Sequence, residues 1–65
     1  MGKFVNRLKI ESLGKELEAR EKDYKDTNDK YVRETRPSEK NSLKAELDSL
    51  ENEINRIENE LSDLN

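Results

Sequence analysis

The chain has 65 residues, of which 29% are hydrophobic and 45% charged, with no cysteine, histidine or tryptophan and a formal net charge of −3. That composition excludes zinc on Cys/His ligands, thiol redox chemistry, thiol nucleophiles and imidazole acid–base catalysis. The acidic balance speaks against nucleic acid, whose phosphates need clustered Lys and Arg, and no apolar run approaches the roughly 18 residues that span a bilayer.

The first nine residues carry Lys3, Arg7 and Lys9 and no acid. Phe4, Val5 and Leu8 among them lie about 165° around a helix from the apolar line that follows, at about 100° per residue. If the helix reaches that far, this patch faces outward and is a candidate contact for a partner; the other reading is a frayed terminus. From about residue 4 to about residue 34 the sequence reads as one helix. Ile10, Leu13, Leu17, Tyr24 and Tyr31 form a seam on it, with Arg20, Thr27 and Glu34 at the alternate positions. Arg20 there either packs its stem while its head snorkels toward glutamate or specifies register at a cost in stability. Gly14 beside the seam costs about 1 kcal/mol of helix propensity relative to alanine.

Pro37, the single proline, sets the corner. Proline disfavours helical geometry at Arg36, so the first helix is expected to end there, with the corner at about 35–38. Pro37 suits the first turn of the next helix, and Thr35 or Ser38 is expected to cap its exposed amides.

The second helix, about 38–64, has the most regular pattern. Leu43, Leu47, Leu50, Ile54, Ile57, Leu61 and Leu64 are spaced 4-3-4-3-4-3. This is a heptad seam, with Leu47, Ile54 and Leu61 at a and the others at d. Glu46, Glu53 and Glu60 fall at g, and Glu51 and Glu58 at e, which opposes parallel self-pairing of this helix.

Charge chooses a hairpin over a rod. Residues 1–34 hold nine bases and eight acids, whereas residues 35–65 hold four and eight. Folding back sets Arg7 and Lys9 beside Glu58 and Glu60, so these four are the candidate register-setting charges. The two helices match in length, at roughly 46 and 40 Å. The expected fold is therefore all-α: an antiparallel two-helix coiled-coil hairpin forming one module over residues 1–65. A seam one side chain wide buries little for a chain this short, so two hairpins are expected to dimerise into a four-helix bundle.

No catalytic residue, metal ligand or cofactor site is expected. The carboxylates form charge runs of the kind found on solvated helix faces, and no loop resembles an EF-hand. Tyr24 and Tyr31, at seam spacing, read as core rather than as base-stacking platforms.

The segment Leu8-Lys9-Ile10-Glu11-Ser12-Leu13, followed by Leu17-Glu18, Tyr24 and Asn28, has a counterpart in the return run. There Ser42-Leu43-Lys44-Ala45-Glu46-Leu47 leads through Leu50-Glu51-Asn52-Glu53-Ile54 to Ile57-Glu58. Together they resemble the short helical-hairpin coiled coils called effector-associated domains. Those stand at the start of bacterial, especially cyanobacterial, conflict and signalling proteins with NACHT-type ATPase, caspase-like or TIR domains. The resemblance covers about residues 8–61. It implies a non-enzymatic adaptor in the cytoplasm that binds a copy of itself or a matching helical module on another protein, recruiting or assembling effectors. The competing expectation is a small acidic regulator of phage or plasmid type. Its middle, around Glu16, Glu21, Asp23, Glu46 and Glu53, would occupy a basic groove on another protein.

Overall fold

The computed structural model describes the backbone of residues 2–64 and the side chains of residues 6–64. Two helices account for nearly all of it: α1, Gly2–Arg33, and α2, Pro37–Leu64. They fold back and pack along their length, and the molecule measures 53 × 14 × 11 Å. Its radius of gyration is 15.2 Å, against about 11 Å for a rounded domain of this size. The all-helical antiparallel hairpin expected from the sequence is the fold observed.

The helix bounds differ from the expected ones in instructive ways. α1 stops at Arg33, three residues before the one that proline disfavours, and the corner is 34–36. The Glu34 amide donates to the Lys30 carbonyl at 2.9 Å and ends the α1 ladder. Lys40 N–H donates to the Arg36 carbonyl at 2.9 Å, which opens the ladder of α2. Arg36 is therefore the cap residue of α2 rather than the last residue of α1, and Pro37 takes the first helical position, where its missing N–H costs nothing. Lys30 and Arg33 in the last turn of α1 and Glu39 in the first turn of α2 oppose the helix dipoles that meet at the corner.

Burial follows one line on each helix. On α2, Leu47, Leu50 and Ile57 are buried, Ile57 completely at 0% exposure. Leu43, Ile54, Leu61 and Leu64 are half-buried. On α1 the facing line is Ile10, Leu13, Leu17, Tyr24 and Tyr31, all half-buried. Seam spacing and the short corner set one antiparallel register. Pairing a with d positions in that register sets Ile10 level with Leu64, Leu17 with Ile57, Tyr24 with Leu50 and Tyr31 with Leu43, so each apolar α1 position stands opposite an apolar α2 position.

Candidate functional site

The surfaces of the hairpin are set by what the seam leaves outside. The seam also admits polar residues. Thr27 is buried at 7% exposure, at the position that the a-to-d register sets opposite Leu47. Asn6, Arg20, Glu34 and Lys40 complete the two lines as half-buried side chains. Of these, Asn6 and Lys40 escape a reading based on apolar spacing, although both continue the heptad by position. Lys40 finds its place by chemistry: its Nζ lies 4.7 Å from the centroid of the Tyr31 ring, a cation–π contact that lets the ammonium close the end of the seam.

Arg20 carries the one ion pair between the helices among the described residues. Its Nη1 is 3.7 Å from Glu53 Oε2 on α2, and its Nε is 3.9 Å from Asp23 Oδ2 one turn along α1. The latter distance is too long for a hydrogen bond, and Arg20 Nε is buried without a hydrogen-bond partner. The stem lies in the seam level with Ile54 while the head leaves it toward Glu53.

The corner is locked by Glu34, which from sequence looks like a defect in the seam. Its Oε1 accepts from the amides of Thr35 and Arg36, both at 3.1 Å, and from Arg36 Nε at 3.2 Å. Neither Thr35 nor Ser38 caps α2 with its side chain; the carboxylate of Glu34 takes the exposed corner amides instead. The Arg36 side-chain hydrogen bond, then its amide, hold the Glu34 carboxyl below the usual glutamate range, with burial opposing them weakly.

The four candidate register-setting charges are placed less directly. Glu60 accepts a hydrogen bond from Arg56 Nη1 on its own helix at 3.0 Å. Lys9 and Glu60 line opposite rims of one open hollow of about 460 Å³, together with Ser12, Leu13, Asp63 and Leu64. Arg7 borders the hollow on the other side of Leu64. Glu58 is exposed and joins none of the ion pairs among the described residues. Of the candidate partner patch, Leu8 is 54% exposed, and the side chains of Phe4 and Val5 lie outside the described ones. Val32 is a second exposed apolar residue, at 69%, near the corner.

A family model described as effector-associated domain 9 matches residues 3–64, which is both helices and the corner between them. The chain belongs to that family. No curated protein and no solved structure matches it. In this effector-associated domain the matched span takes in the whole seam, the Glu34 corner and the Arg20–Glu53 pair. Among the described residues no helix is long and apolar enough to cross a membrane, and no group of acidic residues is arranged to hold a metal ion.

Proposed function

We propose that this effector-associated domain is a non-enzymatic assembly module of the cytoplasm, one that pairs with a second copy or with a matching helical hairpin on another protein. In that role it brings effector domains together in a bacterial signalling or defence protein. The observation that carries the reading is the family match across residues 3–64, to a domain described as associated with effectors. The thin core supports it: among the described residues, three apolar side chains are buried, little for a chain too short to sustain a core without help from staples or association. Exposed Leu8 supports it as well.

Sedimentation equilibrium at micromolar concentration tests the reading. A reversible dimer or a larger closed assembly is expected. A helical monomer that melts cooperatively at every concentration would overturn it. The acidic regulator is the other outcome: affinity capture that returns a DNA-binding protein and never a second hairpin would favour it.

A further inference from the structure

The surface of α2 that turns away from α1 is sorted by charge. Asn41, Asn52, Asn55 and Asn59 lie on one line along it, with Ser38 and Ser62 at its ends. Ala45 and Asp48 fill the two remaining positions, so the spacing is 3-4-3-4-3-4-3 and all eight residues are exposed. The line thus repeats the heptad of the seam on the opposite side of the helix. It holds one charge in eight positions. Removing these eight and the eight seam positions from the 28 residues of α2 leaves twelve, and those twelve hold nine charges.

A merely solvated face does not call for this. Asn and Ser are poorer helix formers than Lys and Glu, which are the usual residues of exposed helix surface. The outer line of α1 shows that usual solution: Glu11 and Lys15, Glu18 and Lys22, and Lys25 and Asp29 are opposite charges four residues apart. The outer line of α2 forgoes such pairs along about 36 Å of helix.

We infer that the neutral line of α2 is a docking surface for a second copy of this chain, with the two α2 helices antiparallel about a two-fold axis near residue 50. This rests on the self-association proposed above and names the face that performs it. A primary amide donates and accepts, so a row of amides is its own complement, whereas a row of like charges repels its copy. The midpoint of α2 sets the register. Asn41 then meets the partner's Asn59, Asp48 meets the partner's Asn52, and Ser38 meets the partner's Ser62. At the flank, Lys44 falls beside the partner's Glu58, and the symmetry makes that pair twice. Neither residue has an ion-pair partner within its own chain among the described residues. Glu51 falls opposite its own copy near the axis, the one repulsive contact in the arrangement.

Sedimentation equilibrium on the full chain and three variants tests this, with far-UV circular dichroism confirming that each variant keeps its helices. Asn52→Glu with Asn55→Glu adds good helix formers and sets glutamate against the partner's Asp48, so dimer affinity is expected to fall at least about tenfold. Glu51→Gln removes the repulsion and is expected to tighten the dimer about threefold. Lys22→Gln, on the charged outer line of α1, is expected to leave affinity unchanged. A wild-type dimer that the double variant does not weaken overturns the α2 surface while self-association stands. A wild type monomeric throughout overturns self-association itself, and this inference with it.

Discussion

The two helices share one heptad but spend it differently. α2 fills its seam with Leu and Ile and breaks it only at Lys40, whereas α1 alternates apolar residues with Arg20, Thr27 and Glu34. On the outside the contrast reverses, for the outer line of α1 is laced with opposite charges and that of α2 holds one charge in eight positions. The lesson is a division of labour. α2 supplies most of the burial, while α1 supplies the polar groups that fix how it lies on α2, with Arg20 reaching Glu53 and Glu34 holding the corner.

The contrast can be broken most sharply in the buried line of α2. Ile57 is completely buried, and Ile57→Ala is expected to cost about 3 kcal/mol in chemical denaturation, the usual range for emptying such a site. Leu17→Ala, level with it on α1 and half-buried, is expected to cost about 2 kcal/mol. Equal losses would deny that α2 dominates the core.

Much of this was legible in the sequence. The 4-3 spacing from Leu43 to Leu64 stands out because its neighbours are polar, so a period search finds it at once. The three polar positions of the α1 seam, Arg20, Thr27 and Glu34, were legible by position alone, because residues of those types are normally read as surface. The role of Glu34 in holding the corner was hidden for a related reason. Ser and Thr are the habitual caps, but the corner turns so that a carboxylate one residue past α1 reaches two amides and a guanidinium. The neutral line on α2 was visible in the letters too, but polar uncharged residues carry no period that an apolar pattern would reveal.

Smaller effects sharpen the account of α1. Arg20→Leu replaces a side chain with an unpartnered buried Nε by one that fills the layer with Ile54. Stability is expected to rise by about 1 kcal/mol, with cysteine cross-linking revealing a loss of unique register. No gain would mean that the pair with Glu53 offsets the desolvation. A Cβ on Gly14 would meet nothing within 4 Å, so Gly14→Ala is expected to add about 0.5–1 kcal/mol and raise the melting temperature. A loss there would show that the helix needs glycine at this point.

The smallest effect is at the corner. Glu34 has a lowered pKa in the folded chain, so the unfolded chain binds its proton more readily. Its contribution is fully present above the ordinary glutamate value and is lost as pH falls through the lowered one. Glu34→Gln is expected to flatten that part of the acid melting profile relative to wild type. Identical acid profiles would place the corner's stability elsewhere.

The inferred assembly runs through α2 and leaves the charged outer line of α1, from Glu11 to Asp29, to water. The sequence has no cysteine, so a single introduced thiol reports its own surroundings. Ser49→Cys places it beside the inferred two-fold axis, and Lys22→Cys places it on the outer line of α1. Treated with a short bis-maleimide at equal concentration, the Ser49→Cys chain is expected to form covalent dimers rapidly and the Lys22→Cys chain to remain largely monomeric. Equal rates, or faster cross-linking at Lys22→Cys, would contradict the account.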